Sequence, residues 1–496
     1  MKQHFPRPDI ILIMTDQQRA DTIGALGHPH MATPTMDRLV REGRAFTRAY
    51  CPGATCVASR AALFTGQYAH NTGAHSFFNW GHQRTWVEDL ADAGYFCASI
   101  GKMHFQPRDV RGGFHDRVVV ENPTSITNWG GFGDDDWGRY LKIHGYERPN
   151  YRHRTDPDWH RHFQCVPWHL HEHLHSDVFV GESAVQWIRH HEDERPLFLQ
   201  VGFPGPHEPW DPLPRHLERY AGKELPPRVT RPGELDEKPP QHRAMQRFFS
   251  ECDHEAQIQM ADATEEDVDR MRRHYYAKIS LVDEQIGRVL DELEAAGRLE
   301  NALVLLCSDH GELLGDHQLA YKWLMYEPVV RVPFVAWGNG VAEGIDPSIV
   351  SLIDIGPTVL DWAGVEVPTR LEGGSLAATL REGEPGGRTA AYSEDNYQIM
   401  RVEERYKMVY HIGQDLGELY DLEADPHELF NRWGDPDFAA IQTRIQGELL
   451  NWLARSTYWQ SGHRCGESDT TPRRWPNAGD AALHGENFLP RPDAFL

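Results

Sequence analysis

Four short apolar runs punctuate the chain, and each ends in polar residues. Asp9–Met14 (DIILIM) leads into Thr15-Asp16-Gln17, and Tyr95–Ile100 (YFCASI) into Gly101-Lys102-Met103-His104. Leu197–Phe203 (LFLQVGF) leads into Pro204-Gly205-Pro206-His207, and Ala302–Cys307 (ALVLLC) into Ser308-Asp309-His310-Gly311-Glu312. Runs of this length without polar alternation predict buried parallel strands followed by loops. Helical periodicity lies between them. Thr33 is placed as an N-cap with Pro34 behind it, Met36, Leu39 and Val40 share one face, and Gly43 stands as the stop. From about Val268 to Leu299 the apolar positions Tyr275, Ile279, Val282, Ile286, Val289, Leu290 and Leu293 recur at helical spacing, predicting one long amphipathic helix with Gly297 near its end. Strands alternating with helices predict an α/β fold: a large, mixed but mostly parallel sheet sandwiched by helices. Ligands of such sheets bind beyond the carboxyl ends of the strands. That rule gathers Asp16, Lys102, His104, His207, Asp309 and His310 into one site.

The texture changes near Thr389. AAYSED, YQIMRV, YKMVYH and GELYDL follow in close succession and predict a small antiparallel sheet, with a helix over about 437–456. The expected organisation is a catalytic α/β domain over 1–385, a C-terminal antiparallel-sheet subdomain with helix over 386–460, and a tail over 461–496. Trp475, Phe488, Leu489 and Phe495 are spaced along that tail like anchors for the body or a neighbouring subunit, so a homo-oligomer is expected. The charged, Pro-rich segment 221–264 reads as a surface excursion or lid.

Composition narrows the function classes. The 496 residues are 40% hydrophobic, enough for a large core, and no stretch of about 18 apolar residues suggests a membrane span. The N-terminal segment lacks the apolar core and small-residue cleavage site of a signal peptide, so a cytoplasmic protein is expected. Seven cysteines, an odd number, fit reduced thiols better than a disulfide framework. With 50 basic against 74 acidic residues the net charge is −24, which argues against nucleic-acid binding. An anionic substrate would be repelled at long range unless a metal and local cations invert the field at the site.

The segment CPGATCVASR, Cys51–Arg60, places a cysteine where a helix begins. A buried cysteine is most often a small hydrophobe, the reading for Cys51, Cys97 and Cys307. Cys51 and Cys56 have the spacing of a zinc half-site, but no matching second pair follows. A thiolate nucleophile at a helix N-terminus is physically sensible too. The surrounding residues point elsewhere. Cys56-Val57-Ala58-Ser59-Arg60, followed by Leu63 and Thr65-Gly66, resembles the signature of the sulfatase family. The resemblance continues through Thr15-Asp16-Gln17-Gln18-Arg19-Ala20-Asp21, Gly101-Lys102-Met103-His104, Ser308-Asp309-His310-Gly311-Glu312, Lys322 and Glu418-Leu419-Tyr420-Asp421-Leu422.

The resemblance implies a sulfuric ester hydrolase. Cys56 would be oxidised to formylglycine by a formylglycine-generating or an anaerobic sulfatase-maturating enzyme. One hydroxyl of the hydrated aldehyde would attack sulfur, and the second would give an internal route for expelling sulfate. Asp16, Asp309 and His310 would bind one divalent cation together with an oxygen on residue 56, and Gln17 could add an amide oxygen. Arg60 would stabilise the diol oxygen. Lys102 and His104 would contact the diol and the substrate oxyanion. His207 and Lys322 would bind the substrate, and one of these groups would protonate the leaving alcohol.

Three departures from the commonest family pattern stand out: Ala58 replaces Pro, Gln17 replaces Asp, and His310 stands where many members carry Asn. An imidazole ligand suits manganese, zinc or iron better than calcium, so the expected cation is manganese or calcium, with zinc as a further fit. Gln17 and His310 resemble phosphonate monoester hydrolases and choline sulfatases, whereas Lys102-x-His104 is sulfatase-like. The substrate expected is therefore a small anionic sulfate ester, with a phosphonate monoester or phosphodiester as the alternative. The histidines between His160 and His175 read as a solvated or substrate-rim loop, with a second metal site as the rival reading.

Overall fold

The computed structural model describes residues 7–76, 79–121, 134–148, 163–252 and 258–464. Eight strands form the main sheet: β1 (Asp9–Asp16), β2 (Arg44–Tyr50), β3 (Phe96–Gly101), β4 (Asp116–Val119), β5 (Leu197–Pro206), β6 (Ala302–Ser308), β7 (Arg331–Gly338) and β8 (Gly344–Ser351). Their order is β4-β3-β5-β1-β6-β7-β2-β8. The four runs singled out by their apolar pattern are the adjacent block β3-β5-β1-β6, paired in parallel throughout. The sheet is mixed because β7 runs antiparallel to both β6 and β2.

The continuous hydrophobicity of β1 follows from burial on both faces. Ile10, Leu12 and Met14 feed one core, which includes the helix Cys56–Thr65 (α2) and the helix Ile355–Trp362. Ile11 and Ile13 feed the opposite core, against the helix Pro34–Glu42 (α1) and the helices Ser176–His190 and Glu265–Ala295. Each such aliphatic side chain contributes roughly 1.5–3 kcal/mol by leaving water. Among the described residues, no helix is long and apolar enough to cross a membrane. Cys51, Cys97 and Cys307 are buried and carry no disulfide, as expected of core thiols.

Two details of α1 differ from the sequence expectation. Thr33 does not cap the helix with its side chain. Its hydroxyl donates to Asp37 and accepts from the Gly24 N–H, while the N–H groups of Thr35 and Met36 donate to Asp283 at 3.0 and 2.7 Å. Asp283, on the long helix, therefore caps α1 from outside. Gly43 ends the helix in an extended conformation, and a Cβ there would lie 2.3 Å from the Ala336 carbonyl oxygen. The glycine is required by the close passage of β7, not by a left-handed turn.

The second sheet is antiparallel, in the order β12-β11-β10-β9, from β9 (Ala391–Asp395), β10 (Gln398–Val402), β11 (Tyr406–His411) and β12 (Gly417–Asp421). The helix expected after it spans Ala439–Arg464, longer than its periodicity suggested. Within the described part of the segment 221–264, buried polar groups pack against this second sheet. Lys238 donates to the Tyr420 hydroxyl at 2.9 Å, His242 meets Glu418 at 3.0 Å, and Leu235 enters the main core. Sequence pattern missed this because a strip of paired charges looks solvated until its partners are known. The tail anchors Trp475, Phe488, Leu489 and Phe495 lie outside the described residues.

The cap on α1 makes a prediction. Burial pushes the Asp283 carboxyl up to about 7, against the opposing backbone hydrogen bonds of Met36 and Thr35. The folded chain then holds this proton where the unfolded chain has lost it, so the contribution of Asp283 to stability falls as pH rises from the ordinary aspartate value of 3.8 to about 7, and is level above that. Denaturant unfolding of the wild type and of Asp283→Asn across this range should show the variant gaining relative stability toward pH 7. Asp283→Ala should cost about 1–3 kcal/mol, because two helix N–H groups lose their acceptor.

Candidate active site

The carboxyl ends of β1, β3, β5 and β6 converge on the N-terminus of α2. Cys56 is the first residue of this ten-residue helix, every residue of which is buried. No side-chain hydrogen bond caps it at Thr55, so the positive end of the helix dipole meets whatever anion is held at residue 56. Arg60 lies four residues on and therefore on the same helix face. Its Nε donates to Asp309 at 2.7 Å, one terminal nitrogen donates to Asp16 at 3.1 Å, and the other to the Lys102 carbonyl at 2.8 Å. The guanidinium clamps the carboxylates at the ends of β1 and β6 to the loop after β3, and it also acts electrostatically on Cys56. All three side chains are fully buried.

Around the sulfur the structure brings together residues nearly 300 positions apart. Lys322 Nζ lies 3.1 Å from Cys56 Sγ, His310 Nε2 lies 3.4 Å away, and Asp16 Oδ1 lies 3.9 Å away. His104 also reaches the sulfur with its side chain. Burial works against a charged thiol, but Lys102, Lys322 and His310 together hold Cys56 well below its ordinary range. The same field acts on Asp16. Burial and the sulfur push its carboxyl up, yet Lys102, His207 and Arg60 hold it well below the usual carboxylate range. Residue 56 thus sits in a cationic pocket although the whole chain is strongly acidic.

Donor atoms of Asp16, Cys56, Asp309 and His310 all lie within 4.8 Å of one another. The His310 Nδ1 donates to the Gly311 carbonyl at 2.9 Å, which fixes the ring with its Nε2 turned toward residue 56. Two carboxylates and one oriented imidazole form a donor set that fits a divalent cation. Gln17 lies beside them with a left-handed backbone, φ 68°. Its N–H donates to Asp309, its amide oxygen accepts from Lys322 at 2.7 Å, and its amide nitrogen donates to Glu208 at 2.8 Å and to Glu312. Burial, with Glu208 adding repulsion, pushes the Glu312 carboxyl up to about 7.

The remaining predicted residues are held by their loops. Gly101 and Gly202 face each other across β3 and β5, and a Cβ on Gly101 would lie 2.0 Å from the Gly202 oxygen. This close approach lets the Lys102 N–H bond Gly202 at 2.8 Å and sends the lysine side chain to Asp16. His104 has φ 61°, its N–H donates to Glu121 at 3.2 Å, and its carbonyl accepts from the Trp80 indole. The His207 N–H donates to the Asp16 carbonyl at 3.1 Å. Lys278 Nζ holds the His207 and Pro209 carbonyls at 3.1 and 2.8 Å and Asp211 at 2.9 Å, anchoring the loop from beneath.

Sequence reasoning missed Glu121, Glu208 and Lys278. Only Glu208, next to His207, carried a local hint; the others come from elements whose packing no local pattern reports. The histidine-rich stretch divides. His169, His171 and His173 are exposed, whereas His175 is buried with its Nδ1 toward the Asp177 N–H and its Nε2 3.4 Å from Asp211. Among the described residues, these histidines form no cluster of metal-ligand type.

The chain is similar to known proteins over most of its length. The sulfatase family model matches residues 8–365, and the model described as N-sulphoglucosamine sulphohydrolase, C-terminal, matches 315–455. An arylsulfatase of Clostridium perfringens is 29% identical over 451 residues, covering 86% of this chain and 90% of its own. A choline-sulfatase of Rhizobium meliloti is 29% identical over 463 residues, covering 87% and 83%. The phosphonate monoester hydrolase of Agrobacterium radiobacter superposes with a TM-score of 0.77 at 25% identity, covering 91% of this chain and 96% of that one. With nearly three quarters of its length matched by the family model, the chain belongs to the sulfatase family.

Proposed function

We propose that the protein hydrolyses sulfate monoesters at residue 56, the reading carried by the convergence of Lys102, His104, Lys322 and His310 on that one position. A tetrahedral anion bound there meets several cationic or donor groups in a dry pocket, where each is worth far more than in water. Asp16, Asp309 and His310, with an oxygen on residue 56 and the Gln17 amide as a further candidate, would hold one divalent ion that supplies Lewis-acid stabilisation of developing charge. The imidazole donor favours manganese or zinc over calcium, which prefers oxygen. Oxidised to formylglycine by a maturating enzyme, Cys56 would supply a hydrated aldehyde as nucleophile.

The chain's own residues set the geometry of the reaction. Arg60 keeps the Asp16 and Asp309 carboxylates aimed. Lys322, bridging residue 56 and the Gln17 amide oxygen, holds one side of the bound anion, and its ammonium is stabilised despite burial by Cys56, Glu208 and Asp16. His104 and His207 flank the site as candidates for delivering a proton to the leaving alcohol. The alternative, a phosphonate monoester or phosphodiester hydrolase, is favoured by Gln17 and His310 and by the fold shared with the Agrobacterium enzyme. Lys102 and His104, which both act on residue 56, favour sulfate.

Three measurements test this reading. Peptide mass spectrometry of active protein should show residue 56 lighter by ~18 Da, the thiol-to-aldehyde difference; full activity with an intact thiol would sink the nucleophile assignment. Asp309→Asn, which keeps an acceptor for Arg60, should lose most of the bound divalent metal by elemental analysis, and full metal retention removes Asp309 from the ligand set. Side-by-side turnover of 4-nitrophenyl sulfate, an aryl phosphonate monoester and a phosphate diester should rank the sulfate first by at least tenfold in kcat/KM; the reverse order selects the alternative.

A further inference from the structure

The second sheet reaches the active site at one point, the end of β9. The Glu394 N–H donates to the Pro52 carbonyl at 3.0 Å, in the loop that enters α2. On the paired strand β10, Gln398 lies in register with Asp395, and its amide nitrogen donates to the Trp323 carbonyl at 3.3 Å. Trp323 follows Lys322, and its own N–H donates to Ala54. Asp395 is therefore held between the residues that immediately precede Cys56 and the residue that follows Lys322.

The environment of this carboxylate is unusual. Asp395 is 1% exposed, and neither of its oxygens has a donor in hydrogen-bonding geometry among the described residues. The Thr55 hydroxyl approaches it and is itself without a bond of proper geometry, as is the Gln398 amide oxygen. Burial pushes the Asp395 carboxyl up to about 7 against the pull of Thr55, His310 and Lys322, and the sulfur of Cys56 adds repulsion. A buried carboxylate without donors is costly, and native structures keep such groups where something else completes them. The neighbouring acids have ordinary structural partners: Glu394 binds His70, and Glu372 binds Tyr68 and Asn71. Asp395 alone among these is placed beside the reacting residue with acceptor capacity left beyond the approach of the Thr55 hydroxyl.

We propose that Asp395 is a specificity-determining residue that accepts a hydrogen bond from a donor group, hydroxyl or ammonium, on the alcohol half of the ester. This rests on the sulfate-ester reading of the site and deepens it. The cations around residue 56 select the anionic half, while an acceptor supplied by the second sheet selects alcohols that carry a donor close to the ester oxygen. A site built to pair such a group rejects analogues lacking it, because the unpaired acceptor stays buried.

Matured enzyme should be assayed with 4-nitrophenyl sulfate, which carries no donor, with 2-aminoethyl sulfate and with glucose 6-sulfate. Asp395→Leu should lower kcat/KM for at least one donor-bearing ester, relative to 4-nitrophenyl sulfate, by tenfold or more, chiefly through KM. Asp395→Asn separates the sources. Its amide oxygen still accepts from a hydroxyl but offers an ammonium no countercharge, so only a loss on the aminoethyl ester identifies an ammonium partner. Asp395→Asn also serves if the leucine variant does not fold. The proposal is overturned if the ratios stay within twofold of wild type, if wild type cleaves 4-nitrophenyl sulfate but neither donor-bearing ester, or if the variants lose bound metal, which would assign the carboxylate to the ion. Failure of wild type on all three sulfates while phosphonates are cleaved would instead overturn the sulfate-ester reading itself.

Discussion

The Arg60 guanidinium is the contact on which the site depends. It joins the ends of β1 and β6 to α2 and to the loop after β3, so four elements meet on one planar group. Desolvating a guanidinium and two carboxylates is expensive, and only near-complete hydrogen bonding repays it. Here Asp309, Asp16 and the Lys102 carbonyl supply that bonding. Removing one partner from such a buried pair typically costs about 3–5 kcal/mol, because the remaining charge stays buried and unpaired. The rigidity that follows suits a site whose donors must already be aimed before an anion arrives.

Charge balance follows from that clamp. The chain carries a net charge of −24, yet residue 56 lies among Lys102, Lys322, His310 and the N-terminus of α2. Surface charges act through water and are screened within about 10 Å, whereas buried groups act at close range through a poorly screening interior. The local field can therefore be opposite in sign to the global one. The acids near the site are neutralised in their own way: Asp16 and Asp309 pair with Arg60, and Glu312 is held between backbone N–H groups and the Gln17 amide.

The second sheet is tied to the first by paired buried charges, not by an apolar seam alone. Glu418 gathers His242, His411 and the Tyr420 hydroxyl, and Lys407 lies between Glu327 and Glu428. His70, on the turn after α2, bonds Glu394 of β9 and Ser456 of the C-terminal helix. Polar pairs demand one register, since a shift leaves buried charges unmet. That register fixes where the β9–β10 hairpin stands relative to Cys56.

Much of this was legible in the chain. The four parallel strands announced themselves through unbroken apolar runs, because strands buried on both faces tolerate no polar alternation. Their carboxyl-end residues Asp16, Lys102, His104, His207, Asp309 and His310 could be assembled from a topological rule alone, and the C-V-A-S-R segment with its companions carried the family. Other features depend on partners distant in sequence and leave no local mark. Arg60 bonds Asp16 and Asp309 because two strand ends lie within its reach. Asp283 caps α1 because two helices cross, and the segment 221–264 is docked because its charges meet Glu418 and Tyr420. Asp395, an unremarkable residue at a hairpin, stands beside Cys56 only because the second sheet packs where it does. Sequence by itself determined the elements and the chemical types at their ends, since burial and periodicity act along the chain; tertiary structure decided which charge meets which, since that depends on distances the chain sets only when folded.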